Sequence, residues 1–377
     1  MRFNVSSKVF YAAVSSVNRV INSKNSLNIL DNFRIALKGD TLTITGADME
    51  NELTARIKVS EAEGDFCFCI LAKRLVELLK ELPDQGITFS VNEETLEVEI
   101  VYSGGKYDLT ALNGSEYPVF RQDDDDIEPQ TFSIPASSLS RGFKYTEFAV
   151  GDDDYRPMMK GVCLDVDEDK LTFAATDTHK LVRFIDSAVK PGFKTTCILP
   201  IKPVKIIHGI AEKTEEKLSV SLTRKSAAIE SENYTFRCAL LNGRFPDYNR
   251  VIPLSLPYRI DIDRNSALNA IRRVAVVVDP GYGLEKFKLT PDRLYIKSDD
   301  INLMTSAMEN VPCSYNGPEM IIGFSAPFLI EFLSLIPTDE VIIGLSDPSR
   351  AGVFRPSEDE ENTELVMILM PMNVTNF

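Results

Sequence analysis

The chain contains two histidines, His179 and His208, and His179 stands two residues after Asp177. That spacing could offer a carboxylate to an imidazole as an acid–base pair. An aspartate there can equally accept from the backbone amides ahead of it, and the turn reading suits this polar stretch better. Asp165, Asp167 and Asp169 look like the opening of a calcium loop, whose alternating oxygens must converge on one ion. The sixth position is Lys170, where such a loop needs Gly, and the twelfth is Thr176, where it needs a bidentate Glu. The run Asp123-Asp124-Asp125-Asp126 has no turn glycine to gather its carboxylates and reads as a self-repelling linker. The six cysteines, Cys67, Cys69, Cys163, Cys197, Cys238 and Cys313, show no C-x-x-C spacing. Cys67 and Cys69 alternate as neighbours on one face of a strand would, so these thiols read as reduced core residues. Gly-x-Ser-x-Gly, phosphate-loop, His-Glu-x-x-His and Gly-x-Gly-x-x-Gly patterns are absent from the sequence. No metal or cofactor is expected, and a scaffold or binding protein fits better than an enzyme.

The elements that would position a binding surface come from a threefold internal repeat. The pattern Asp-x-Leu-x-(Ile/Phe)-x-x-x-Asp occurs at Asp40, Leu42, Ile44, Asp48, then at Asp169, Leu171, Phe173, Asp177, and again at Asp292, Leu294, Ile296, Asp300. The copies lie 129 and 123 residues apart, close to a third of the 377-residue chain. Phe3-Asn4-Val5 likewise returns as Phe132-Ser133-Ile134, and Leu112-Asn113-Gly114 as Leu241-Asn242-Gly243. Solenoid repeats run to roughly 20–50 residues, so each copy here is a whole domain. Proline and charge clusters place the joints, giving domains 1–124, 125–253 and 254–377.

Each copy opens with a short alternating strand (Arg2 to Val5, Thr131 to Ile134, Tyr258 to Ile262). A helical stretch with apolar residues at i, i+3 and i+4 follows, as in Val9, Phe10, Ala13, Val14 and Val17. The Asp-x-Leu segments then read as hairpin strands after polar turns, and a second helix and further strands close the copy. The fold class is therefore α+β, three repeated domains of two helices packed on antiparallel sheet. No apolar run approaches the ~18 residues of a membrane span, and polar residues interrupt Met1 to Val20, so no secretory signal is read. A cytoplasmic protein is expected.

The net charge is −15, from 41 basic and 56 acidic residues, which argues against coating nucleic acid with the whole surface. The positive charge is not evenly spread. The helical stretches 8–22, 72–82, 136–150, 202–211 and 264–278 are each net basic, stretch 325–336 is the exception, and no acid occurs in the first thirty residues. Ordinary solvated helix faces would explain this. So would one basic surface turned toward a polyanion.

The segments Ala175-Thr176-Asp177-Thr178-His179-Lys180-Leu181, Asn242-Gly243-Arg244-Phe245-Pro246-Asp247-Tyr248-Asn249-Arg250-Val251-Ile252-Pro253 and Met370-Pro371-Met372 closely resemble the bacterial sliding clamps, the beta subunits of DNA polymerase III. The resemblance runs end to end and includes the triplication. It implies a head-to-tail homodimer, a closed ring of six domains around double-stranded DNA with helices inside, opened by a clamp loader. The ring tethers the polymerase alpha subunit and other proteins bearing a clamp-binding motif, and does no chemistry itself.

It further implies a groove that takes a short Leu- and Phe-rich motif. Its lining here would be Met159, Thr176, Thr178, His179, Lys180, Leu181, Pro246, Arg250, Val251, Tyr282, Ser325, Phe328, Ile368, Leu369, Met370, Pro371 and Met372. On residue types alone, Met370 and Met372 fit either an adaptable apolar pocket or alternation within a last core strand. The family usually has Gly where Thr178 stands and Arg where Lys180 stands, and the tail Asn373-Val374-Thr375-Asn376-Phe377 runs past the usual end.

Lys24, Lys73, Arg74 and Lys202 match or adjoin family DNA-facing positions, and charge and helix placement add Arg141, Lys144, Lys205, Arg272 and Arg273. For the subunit contact, Val274 to Val278 ends a helix with apolar residues on every face. Val276 and Val277 would there meet Tyr107 and Leu109 of the partner's edge strand. A triplicated enzyme for an anionic ligand, or a peptide-binding adaptor without DNA, are the competing readings.

Overall fold

Each repeat folds in the same order: a strand, a helix, four strands, a second helix and three strands, with two further short strands in the first repeat. The computed structural model describes residues 1–118, 128–253, 255–278, 283–300, 302–374 and 376–377. The aspartate run, Tyr282, and the joints at 124/125 and 253/254 lie wholly or partly outside the described residues.

The repeated aspartates explain why each hairpin forms and where it stops. The first of each pair stands in the turn between paired strands, as between Asn32–Lys38 and Thr41–Ala47. The last turns the chain. Asp48 Oδ1 accepts from the amides of Glu50 and Asn51 at 2.8 and 2.7 Å, and Asp177 Oδ1 from those of His179 and Lys180 at 2.9 and 2.8 Å. Asp300 Oδ1 does the same with Asn302 and Leu303 at 2.8 and 2.9 Å. Asp177 thus engages the backbone of His179, which settles the turn reading of that pair.

Six helices are present among the described residues: α1 (Ser7–Val17), α2 (Ala72–Glu81), α3 (Ala136–Thr146), α4 (Ile201–Ala211), α5 (Arg264–Val274) and α6 (Ala326–Leu335). Three end earlier than the periodicity suggests. α1 stops at Val17 instead of continuing to 22, while α3 and α5 give way to the short 3-10 turns Glu147–Ala149 and Ala275–Val277. Val9, placed on the core side by spacing, is 48% exposed at the first turn of α1. Helix α2 shows the amphipathic logic plainly. Ala72, Leu75, Leu78 and Leu79 are buried, each Leu contributing roughly 2 kcal/mol, while Lys73 and Arg74 stand in solvent.

All sheets are antiparallel. The chain forms two compact units that do not follow the sequence thirds: residues 1–140 with 205–240, and 141–204 with 241–377. The cause is sheet continuity. In the first unit, Asn51–Lys58 of the first repeat pairs with Tyr234–Ala239 of the second, building a nine-stranded sheet beside a five-stranded one. In the second unit, Lys180–Asp186 of the second repeat pairs with Thr363–Leu369 of the third in a sheet order of twelve strands.

Phenylalanines fill both cores. Phe3 stacks on Phe89 at 5.1 Å in the first unit, with Phe10 edge-on. In the second, Phe143 meets Phe173 at 5.5 Å, and Phe354 is flanked by Phe324 and Phe332. No helix among the described residues is long and apolar enough to cross a membrane.

Candidate functional site

Most of the expected groove residues converge within the second unit. The Lys180–Asp186 and Thr363–Leu369 strands pair so that Lys180 faces Leu369 and Leu181 faces Ile368. Leu181 and Ile368 are buried in one apolar cluster with Cys163, Ala174, Phe245, Tyr248, Val353 and Val366. That cluster is the floor. Because Phe245 and Tyr248 belong to it, the Gly-Arg-Phe-Pro-Asp-Tyr segment brings Pro246, Arg250 and the 49%-exposed Val251 to the rim. The Val251 amide donates to Tyr248 O at 3.1 Å, and Arg250 Nε pairs with Asp247 at 2.9 Å. Met159 joins through Gly151, whose amide donates to Met159 O at 2.9 Å and whose Cα-side space is closed by Asp177 and Met159.

The terminal methionines resolve in favour of a surface. The last strand ends at Leu369, with Met367 fully buried, and Met370 lies beyond it at 41% exposure with its amide on His179 O at 2.8 Å. Met372 then donates to Gly323 O at 2.8 Å, so the chain after Pro371 runs along the Met320–Ser325 strand. Val374 packs where a Gly323 side chain would stand, which accounts for glycine there. Val374 of the extra tail is therefore seated on the sheet.

Thr178 has φ +80°, a conformation that costs a β-branched residue dearly, and its amide reaches Thr176 Oγ1 at 3.2 Å. Lys180 is 7% exposed, with Nζ 3.0 Å from Asp177 Oδ2, 3.7 Å from Glu331 Oε2 and 3.9 Å from the centre of the Phe328 ring. Phe328 and Ser325 come from α6 and its N-cap. Burial holds the Glu331 carboxyl above the usual carboxylate range, against the opposing pull of Lys180. Spacing did not point to Glu331; its i+3 relation to Phe328 on a helix was the available signal.

The carboxylates of the calcium-like stretch turn to different partners. Asp165 accepts from Thr196 Oγ1 and Tyr248 Oη at 3.0 and 2.9 Å, while Asp167 pairs with Lys194 at 3.1 Å. Burial pushes the Cys69 thiol up to about 12.

The cations fall into two kinds. Lys73 and Arg74 are 81% and 71% exposed and only lean toward Glu77, at 4.0 and 3.8 Å. Lys24, Lys144, Lys205 and Arg272 are exposed and Lys202 is half-buried. Arg141 departs from the expectation of a free cation, because it pairs with the fully buried Asp186 at 3.6 Å and with Glu360. Arg273, though exposed, is held in a two-bonded fork by Glu309 at 2.6 Å on each arm.

Two of the open strand edges among the described residues carry the side chains expected at a subunit contact. In the first unit Gly105–Thr110 ends the five-stranded sheet, with Tyr107 41% exposed and stacked on Tyr102, and Leu109 half-buried. In the second, Thr305–Tyr315 pairs along Thr305–Pro312 with Arg293–Asp300, but on its other side only Cys313–Tyr315 has a partner among the described residues. Val276 is 83% exposed beside this edge and Val277 half-buried, while Val274 belongs to the core. Sequence reading missed Leu303, Met304 and Met308, which are 71%, 92% and 62% exposed there.

Comparison with known proteins agrees along the whole chain. The N-terminal, central and C-terminal domain profiles of the DNA polymerase III beta subunit match residues 1–121, 133–247 and 249–372. The beta sliding clamp of Pseudomonas aeruginosa is 26% identical over 369 residues, covering 97% of this chain and 99% of that one. That of Escherichia coli K12 is 22% identical over 380 residues, 99% and 100% of the two chains. A crystal structure of the Pseudomonas aeruginosa DNA polymerase sliding clamp with ligand superposes with a TM-score of 0.91 at 25% identity, covering 99% and 100%. One from the same organism bound to griselimycin gives 0.92 at 25%, with the same coverage. With three repeats matched in order, this chain belongs to the DNA polymerase III beta subunit family, the beta sliding clamps.

Proposed function

We propose that the chain acts as a homodimeric ring around duplex DNA, with three clamp domains per subunit (1–124, 125–253 and 254–377). The groove holds the polymerase alpha subunit and other motif-bearing proteins, and a clamp loader opens and closes the ring in the cytoplasm. One observation carries the reading: an acidic chain, at −15, keeps exposed cations on its helices, as Lys73 and Arg74 on α2 illustrate. A surface of that net charge repels a polyanion at range, so simple adhesion would be weak. Encirclement needs no adhesion, only a lining whose cations replace condensed counterions. In that role Lys24, Lys73, Arg74, Lys144, Lys202, Lys205 and Arg272 face the DNA, whereas Arg141 and Arg273 are engaged by carboxylates and contribute less.

The subunits join edge to edge. The open strand bearing Tyr107 and Leu109 meets the open half of Thr305–Tyr315 with Val276 and Val277, which covers two edges that would otherwise template aggregation. The test is topological. Loaded by a clamp loader with ATP onto a nicked circular plasmid, the protein should co-elute with DNA on gel filtration and be lost when the plasmid is linearised. Equal retention on circle and linear DNA would refute encirclement.

A further inference from the structure

The inference rests on the groove reading above and concerns which peptides that groove prefers. Asp177 and Glu331 both face the single ammonium of Lys180, at 3.0 and 3.7 Å, but they are not equally served. Asp177 is fully employed, accepting from the His179 and Lys180 amides as well as meeting the ammonium. Glu331 is beyond hydrogen-bond reach of Lys180, and its Oε2 has no hydrogen-bond partner among the described residues. Lys180 is 7% exposed, its ammonium lying 3.0 Å from Asp177 and 3.9 Å from the Phe328 ring centre. Two carboxylates therefore share one cation, and one negative charge stays uncompensated beside Phe328.

The Glu331 side chain is 42% exposed although Oε2 itself is buried, so an incoming cation would approach the carboxylate from its other oxygen. The same rim carries a second acidic excess on the segment that leads to Met159. Asp152 and Asp154 are almost fully exposed around Lys160, and Asp153 pairs with Arg156. An apolar floor edged in this way favours a ligand that is apolar at its anchors and cationic beside them. A partly desolvated carboxylate also gains more from an incoming cation than a fully hydrated one does.

We propose that Glu331 selects partner peptides whose Leu and Phe anchors are flanked by a Lys or Arg, the cation settling on the carboxylate that Lys180 approaches without hydrogen-bonding. The test uses the full chain and two fluorescent synthetic peptides with identical Leu/Phe anchors, one flanked by Lys and one by Gln. Anisotropy titrations at low salt should show the Lys peptide binding about 5-fold more tightly, with the preference shrinking as salt rises. In Glu331→Gln the ratio should fall to near 1, whereas the paired Asp152→Asn, Asp154→Asn variant should retain most of it.

Equal binding of the two peptides to the unaltered protein overturns the proposal and leaves the groove reading standing. A preference that survives Glu331→Gln but vanishes with the Asp152 and Asp154 changes also overturns it, assigning selection to the loop. If neither peptide binds, both the proposal and the groove reading fall.

Discussion

Two single residues carry energetic tension that can be measured. At φ +80° Thr178 bears a strain of roughly 1–3 kcal/mol, partly offset by the lower entropy that a threonine has in the unfolded chain. Thr178→Gly is expected to stabilise the protein by about 1 kcal/mol, seen as a higher denaturant midpoint with an unchanged slope; a lower midpoint would mean that the threonine side chain contributes more than the strain costs. Glu285 is fully buried in the Leu284–Thr290 strand, neither of its oxygens has a partner among the described residues, and burial pushes its carboxyl up to about 8 from 4.5. A raised carboxyl means that the folded state holds a proton the unfolded state has released. The native state should therefore lose stability as pH climbs from 4.5 to about 8 and level off above that, by about 5 kcal/mol in all. Glu285→Gln cannot ionise, so its stability relative to the parent should rise across that window. A parallel pH profile for the two proteins would show that Glu285 gains a partner or water in solution.

Helix α2 displays the clearest link between a pattern and a surface. Its leucines bury one stripe, and Lys73 and Arg74 hold their opposite face only loosely to Glu77. Reversing both to Glu should change stability by no more than about 0.5 kcal/mol, since exposed helix pairs contribute that little. It should nevertheless shorten the residence of the loaded protein on circular DNA and weaken its dependence on salt; undiminished residence would remove α2 from the DNA path. Elements of this kind were legible in the sequence, because the Asp-x-Leu hairpins and the amphipathic stripes depend on residues close together in the chain. Ends of elements were less so. α5 stops at Val274, and Val276 and Val277 after it lie in a 3-10 turn, although the apolar run continues the helical period. The groove was legible as segments, two of which the sheet sets side by side with Leu181 facing Ile368, but the approach of Lys180 to Glu331 at 3.7 Å depends on a contact across 151 positions of chain that no local spacing encodes. For the same reason charge counting could not show that Arg141 is consumed by Asp186 and Glu360.

At the scale of the whole molecule, the proposed assembly would rest on two of the open strand edges. Met308→Asp combined with Val276→Asp should place charge on the exposed apolar border of Thr305–Tyr315 without touching the core, and sedimentation equilibrium should then report monomers. A dimer of unchanged strength would move the subunit contact elsewhere. The sheet continuity across repeats bears on how such a chain is born. The nine-stranded sheet joins strands of residues 32–71 to the hairpins of residues 217–239, so the first unit is not complete until the chain has grown to about residue 240 of 377. On the ribosome, the opening repeat must wait with one side of its Asn51–Lys58 strand unpaired while nearly two hundred further residues emerge. A ribosome pausing inside that interval would hold a sticky nascent edge in the open, so chaperone engagement should peak there and fall away once Tyr234–Ala239 has cleared the exit tunnel.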